Sequence, residues 1–321
     1  HRTGLPQIAI PTTYAGSEVT PILGQTENGA KTTLRSAGVM PEVVIYDPEL
    51  TRSLPVKTSM TSGINAIAHA VEALYAENRN PVSTLLATEG ACTLIDALPI
   101  IAEDPLNEAG RERALYGSWL CGTVLGQVGM ALHHKLCHTL GGLFDLPHAE
   151  THTVILPHAT AYNQRAARAQ LAPLGDALDD DDPGAGLFAF ARRLGAPTSL
   201  RELGMDENGI DLAVDEALSN PYWNPRKLVR SDIRKLIENA YFGREPERQA
   251  AASPGSTAGL GTEVVADMAN SLIHHGFKRL IIVNGNRIAN LAPLEIAAVQ
   301  IQNETGARVA VADAGLLARV E

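Results

Sequence analysis

The chain has 321 residues, 45% of them hydrophobic, which is enough to bury one large core or two ordinary ones and excludes global disorder. With 26 Lys and Arg against 36 Asp and Glu the net charge is −10, which excludes a general binder of nucleic-acid backbone, since that needs a basic face. No uninterrupted apolar stretch approaches the ~18 residues of a membrane span, and Cys92, Cys121 and Cys137 form neither a disulfide framework nor a CxxC zinc motif, so the expectation is a soluble, cytoplasmic chain with no membrane or nucleic-acid partner.

The chain starts at His1 without a basic-then-apolar leader, and the apolar run Ile8–Ile10 follows almost at once, which reads as a strand entered from something upstream. Residues 7–47 read as short strands and turns, with a second strand over Val43–Tyr46 closed by Asp47-Pro48. From Ser62 the period changes. Ile64, Ile67, Ala68, Val71 and Leu74 recur at three and four residues and predict an amphipathic helix. Further helices are expected over about 84–97, 108–125, 131–140, 166–178, 187–194, 205–219 and 231–241, with Gly and Pro marking most of the gaps. Asp179–Asp182 reads as a solvated loop ahead of Pro183-Gly184. The stretch 243–261 reads as a linker. Beyond it come a helix over Glu263–His275, a strand over Arg279–Val283, a helix over Leu291–Thr305 and a strand over Arg308–Ala312, the last three making a βαβ unit.

Five of the ten histidines lie between His133 and His152. Asn65 and His69, and His134 and His138, are each separated by four residues, the spacing that puts two side chains on one helix face, and His148 and His152 follow a Gly-Gly turn and Leu-Pro. A first-row metal wants a few imidazole or carboxylate ligands converging from separate elements with one position open. His69, His134 and His148 are the three candidate nitrogens, and the cluster predicts a polar active centre.

Four stretches carry a resemblance. They are Pro11-Thr12-Thr13-Tyr14-Ala15-Gly16-Ser17-Glu18, the run from Gly63 to Ala73 through Asn65 and His69, the run from His134 to Gly142, and Leu146-Pro147-His148-Ala149-Glu150-Thr151-His152. In order and spacing this series resembles the iron-containing alcohol dehydrogenase family, most closely its maleylacetate reductase branch, over about residues 5–244. The resemblance implies a mainly α chain with α/β parts: truncated Rossmann-like strands of a dinucleotide-binding domain (1–61), then a dehydroquinate-synthase-like, iron-alcohol-dehydrogenase helical domain holding the active site (62–244). It implies that Thr12, Thr13 and Ser17 lie on the cofactor side, that His69, His134 and His148 match three of four metal ligands, and that His138 stands beside the reacting centre. The fourth ligand of the family is an Asp. Here Asn65 takes its place, which lowers the expected affinity for Fe2+ or Zn2+ and matches the reductase branch. The family's glycine-rich phosphate loop would precede His1. Within the chain, Gly259-Leu-Gly261 follows no strand and Gly122–Gly129 sits in a helical pattern, so neither is a nucleotide fingerprint. A linker (245–261) leads to residues 262–321, which resemble a fragment of the creatininase-type amidohydrolase family, with Asn286 where that family places a metal-binding His.

The resemblance implies reduction of the C=C of maleylacetate to 3-oxoadipate with NADH or NADPH in the breakdown of aromatic compounds, and a homodimer. His138 is the candidate proton donor, and Lys135 and Arg165 are candidate partners for the two substrate carboxylates. Cys121 and Cys137 read as buried, inert thiols, and Asp145-Leu146-Pro147 as turn chemistry. An inactive fusion fragment and a metal-dependent amidohydrolase are the alternatives.

Overall fold

The computed structural model describes residues 5–27 and 30–248 and two later strands, Arg279–Asn284 and Arg308–Asp313. The chain divides into two compact units, residues 1–250 and 251–321. In the first unit β1 (Ile8–Ala9) pairs in parallel with β4 (Val43–Val44), and between them β2 (Ile22–Glu27) and β3 (Ala30–Arg35) form an antiparallel hairpin. The sequence pattern over 7–47 indicates short strands and turns but does not specify this pairing. Nine α-helices follow among the described residues: α1 (Val56–Leu74), α2 (Pro81–Glu103), α3 (Glu108–Gln127), α4 (Leu132–Phe144), α5 (His148–Asn163), α6 (Arg168–Leu178), α7 (Pro183–Arg193), α8 (Ile210–Ser219) and α9 (Arg230–Phe242).

Helix α1 begins at Val56, earlier than the periodicity from Ser62 indicates, because its first turn, which follows Pro55, is largely polar and carries no apolar stripe. From Ser59 to Leu74 every residue is buried, so α1 is the axis of the helical region, packed against α2, α3, α5 and α6. Helix α2 starts with a capping box in which Asn80 and Ser83 exchange side-chain and backbone hydrogen bonds, and Pro81 occupies the first turn. By length and hydropathy α2 could cross a membrane. Ala87, Ala91, Leu94, Leu98 and Ile101 are instead buried in the apolar cluster shared with α1 and α3, which makes it a core helix.

Two apolar clusters organise this unit. One joins α1–α3 with α6 and α7. The other joins α4, α5, α8 and α9 through Leu136, Leu140, Ile155, Ile210, Val214, Ile233 and Ile237. Helix α5 shows no helical period in the sequence. Its residues 151–163 are buried on every side, so there is no polar face to reveal a helical period, and Pro157 lies inside it.

The four-Asp run is only partly the solvated loop expected. Asp182 is buried, caps α7 by accepting from Ala185 N–H at 3.0 Å, and accepts from Gln164 Nε2 at 2.9 Å. Asp180 pairs with both terminal nitrogens of the Arg248 guanidinium region at 3.0 Å. Asp145 ends α4 in the left-handed conformation with φ of 49°, which is the turn role expected of it.

In the second unit β5 (Arg279–Asn284) and β6 (Arg308–Asp313) pair in parallel, from Arg279↔Arg308 to Asn284↔Asp313. A parallel pair needs a crossover between its strands. The expected helices over Glu263–His275 and Leu291–Thr305, Asn286, Gly259–Gly261 and most of the linker lie outside the described residues.

Candidate active site

The imidazoles gather where the two apolar clusters meet. Asn65 and His69 lie one turn apart on α1, His134 and His138 one turn apart on α4, and His148 and His152 one turn apart on α5. Ring centroids are 5.3 Å apart for His69 and His134, 5.1 Å for His134 and His152, 4.3 Å for His148 and His152, and 6.1 Å for His134 and His138. His69, His133, His134 and His152 are buried, whereas His138 and His148 are exposed. The cluster thus has a dry interior and a wet mouth.

Burial decides the charge of the interior. Desolvation first, and the neighbouring imidazoles second, hold His69, His133 and His152 well below the ordinary histidine range, so these rings are neutral. His133 Nε2 lies 2.9 Å from His152 Nδ1 and 3.7 Å from Cys137 Sγ. The three groups lie close enough to suggest a second metal cluster. A tetrahedral ion needs its nitrogens about 3.3 Å apart at metal–nitrogen distances of ~2.0–2.1 Å, so the shorter separation describes a hydrogen-bonded imidazole pair. Burial pushes the Cys137 and Cys121 thiols up, in keeping with inert cysteines.

Several buried polar atoms of the centre have no hydrogen-bond partner among the described residues: Asn65 Oδ1, His69 Nδ1, His134 Nε2 and His152 Nε2. Unsatisfied buried groups are costly, about 1–3 kcal/mol each, so their concentration in one place marks a site built to receive something polar. The other ring nitrogen of His134 is held by Glu72 Oε2 at 2.8 Å. Carboxylate behind imidazole is the arrangement that orients metal-ligating histidines. Three imidazoles and an amide oxygen are suitable donors for a borderline divalent ion, though the set brings no negative charge of its own.

Tyr222 joins the mouth from the loop after α8, its hydroxyl 3.0 Å from His138 Nδ1. Burial, and Glu72 after it, raise the Tyr222 hydroxyl above the ordinary tyrosine range, so it carries its proton. Lys135 Nζ stands 6.0 Å from the Tyr222 ring centroid. The loop is pinned from a distance. Asn224 and Asn163 of α5 exchange amide hydrogen bonds of 2.8 and 2.9 Å, and Tyr162 donates to the carbonyl of Lys227 at 2.7 Å.

The Pro-Thr-Thr segment is anchored by Tyr14, which is fully buried, donates its N–H to Ser62 Oγ of α1 at 3.3 Å, and accepts from the buried Arg111 guanidinium at 3.1 Å. Ser62 precedes His69 by two helical turns, about 10 Å. Thr12 and Ser17 are exposed and Thr13 is half-buried, just beyond the C-terminal end of β1. Arg165 is placed elsewhere. It lines a separate cavity of about 240 Å³ with His158, Tyr162, Arg226, Asp232 and Lys235, whose lining includes none of the clustered imidazoles.

Glu72 and Tyr222 were missed in the sequence. Glu72 follows His69 by three residues on the same helix face, so the helical period could have found it. Tyr222 carries no local signal.

The family description "Fe-containing alcohol dehydrogenase family, C-terminal" matches residues 59–241. The chain belongs to the iron-containing alcohol dehydrogenase family. The matched span holds every imidazole of the centre. A maleylacetate reductase of Rhizobium sp. (strain MTP-10005) is 60% identical over 246 residues, 77% of this chain and 70% of that protein. The crystal structure of maleylacetate reductase from Agrobacterium tumefaciens aligns with a TM-score of 0.74 at 59% identity, over 76% of this chain and 70% of that one. A more distant member of known structure, the sulfoacetaldehyde reductase of Bifidobacterium kashiwanohense in complex with NAD+, aligns with a TM-score of 0.67 at 27% identity, over 75% and 68% of the two chains.

Proposed function

We propose that this chain reduces the carbon–carbon double bond of maleylacetate, giving 3-oxoadipate, with NADH or NADPH as hydride donor. The observation that carries this reading is the pair His138 and Tyr222 at the mouth of a dry cluster of neutral imidazoles, in a chain so similar to named maleylacetate reductases. A dicarboxylate with an alkene conjugated to a ketone is the substrate class that such a site suits. A cytoplasmic location fits small-molecule catabolism of this kind.

NAD(P)H, when bound, supplies a hydride to the alkene carbon beta to the ketone. The exposed hydroxyls of Thr12 and Ser17, with Thr13, follow a parallel strand at its C-terminal end, where open α/β folds take nucleotide ligands, and their chemistry suits contacts to ribose and carboxamide. The π electrons move to the ketone oxygen as an enolate. That oxygen needs a donor in a water-poor place, and neutral His69, buried beside His134, provides an N–H without adding a charge. The Tyr222 hydroxyl, still protonated and held by His138, delivers a proton to the alpha carbon as the enolate collapses, and His138 restores it from solvent at the exposed mouth. Lys135, 6.0 Å from the Tyr222 ring centroid, is the candidate partner of one substrate carboxylate. A divalent ion such as Fe2+ or Zn2+ would be held by His69, His134 and His148 with Asn65, and there it would supply Lewis-acid charge at the ketone oxygen in place of the His69 N–H.

The test is maleylacetate-dependent oxidation of NADH or NADPH by the purified chain. Oxidation that needs the substrate, and stops when His138 is replaced by Ala, supports the reading. Absence of turnover with either nucleotide rejects it.

A further inference from the structure

Helix α4 starts without a cap of its own. Ala131, which precedes its first turn, offers no side-chain oxygen to the first N–H groups. The acceptor comes from a different helix. Glu72 of α1, fully buried, accepts the Ala131 N–H on Oε2 at 2.7 Å and the His133 N–H on Oε1 at 2.7 Å. The same Oε2 lies 2.8 Å from His134 Nδ1. One carboxylate therefore closes the positive end of α4 and touches the imidazole that the end of α4 carries.

The identity of the partners fixes the direction of these bonds. Two of the three are backbone N–H groups, which only donate. A carboxylate surrounded by donors at a helix N-terminus serves as acceptor to the third, so His134 carries its proton on Nδ1. Its Nε2 is then the lone-pair nitrogen. That atom is buried and has no hydrogen-bond partner among the described residues, and the centroid of the His69 ring lies 5.3 Å from that of His134.

We infer that Glu72 is a positioning residue: it locks His134 in the Nδ1–H tautomer and presents the Nε2 lone pair to whatever occupies the centre. This rests on the imidazole centre being the reaction site, while the tautomer itself does not. The consequence for function is that His134 accepts, from an ion or from an enol or hydroxyl proton, whereas donation to the ketone oxygen falls to His69. No single helix could build this arrangement. It needs α1 and α4 in register, which the buried Glu72 enforces.

The experiment uses the full chain with nitrogen-15 histidine, metal-free, at about pH 8, where ordinary imidazoles are neutral. Long-range proton–nitrogen correlation spectra report which ring nitrogen holds the proton, and His134→Gln assigns the signal. The expected pattern is protonated Nδ1 and bare Nε2 in the unsubstituted chain. In Glu72→Gln the two nitrogens should move toward each other as the tautomers mix. In that variant kcat with maleylacetate should fall about tenfold or more, with KM little changed, the size typical of losing the group behind a working histidine. Glu72→Asp, which keeps the charge but withdraws it, should show a smaller version of both effects and replaces Glu72→Gln if that variant does not fold. A protonated Nε2 on His134 in the unsubstituted chain overturns the inference by itself, as does a Glu72→Gln spectrum that retains the Nδ1–H pattern. Lack of maleylacetate turnover in the unsubstituted chain would instead remove the reductase reading and leave the tautomer result standing.

Discussion

The hydroxyl of Tyr222 lies 3.0 Å from Nδ1 of His138, although 84 residues separate them. One is on a helix and the other in a loop, and the contact exists because Asn163 and Asn224 tie that loop to α5. The pair couples a protonated hydroxyl to an exposed imidazole, a short path from solvent to the reacting carbon. Tyr222→Phe keeps the ring and removes the proton. It should lower kcat by about 10²–10⁴-fold, the usual worth of a placed general acid, with little change in KM. His138→Ala should lower it too, and the double variant should be no worse than the more damaged single one, since both lie on one path. Steady-state kinetics on the three variants check this, and independent, multiplying effects would disprove the shared path.

Asn65 stands where a carboxylate would add a negative charge to the three imidazoles of His69, His134 and His148. Its Oδ1 is buried without a hydrogen-bond partner among the described residues. Asn65→Asp should therefore tighten binding of Zn2+ by at least about tenfold, or 1.4 kcal/mol. Isothermal titration of both forms gives the comparison, and equal affinities would mean that Asn65 does not face the ion.

His158, on α5 but away from the imidazole cluster, is pushed by burial down to about 3. Its unfolded value is about 6.5, so the unfolded chain binds this proton first. The stabilising preference for the neutral ring is complete above about pH 6.5 and drains as pH falls toward 3, at about 1.4 kcal/mol per pH unit. His69, His133 and His152 shift in the same direction, so the whole chain should be acid-labile. His158→Gln should lose less stability than the unsubstituted chain between pH 7.5 and 4.5, by about 2–3 kcal/mol. Denaturant unfolding at the two pH values measures it, and parallel losses would contradict the assignment.

Much of the fold was legible because most of its helices show one wet face. The repeat from Ile64 to Leu74 is an example, and the two strands β5 and β6 were legible by composition. Where burial is complete, the pattern vanishes. Helix α5 was lost for that reason, together with the turn that puts His148 and His152 on one face. Asp182 looked solvated because four carboxylates in a row suggest repulsion, yet a helix start needs one acceptor, and the chain supplied it there. In the site, the histidines were visible by spacing. Glu72 was hidden in plain periodicity, and Tyr222 depends on an amide pair 61 residues apart that no local pattern encodes.

Gly16 and Gly122 meet where the Pro-Thr-Thr segment crosses α3. Gly16 has φ of 75°, and a Cβ on Gly122 would stand 1.9 Å from the Gly16 carbonyl oxygen. Gly122→Ala must push this segment off α3 and should cost about 1–3 kcal/mol or more. Gly142→Ala, whose Cβ would meet nothing within 4 Å, should be neutral or stabilise by up to ~1 kcal/mol through helix propensity. Thermal unfolding of the two variants tests the contrast, and equal Tm values would show that the crossing is not close-packed.

The position of the transferred hydride separates reduction of the alkene from reduction of the ketone. With NADH deuterated at the transferring carbon and maleylacetate as substrate, deuterium is expected on the carbon beta to the ketone of 3-oxoadipate, with the carbonyl intact. Deuterium on the former carbonyl carbon, with an alcohol as product, would contradict reduction of the alkene.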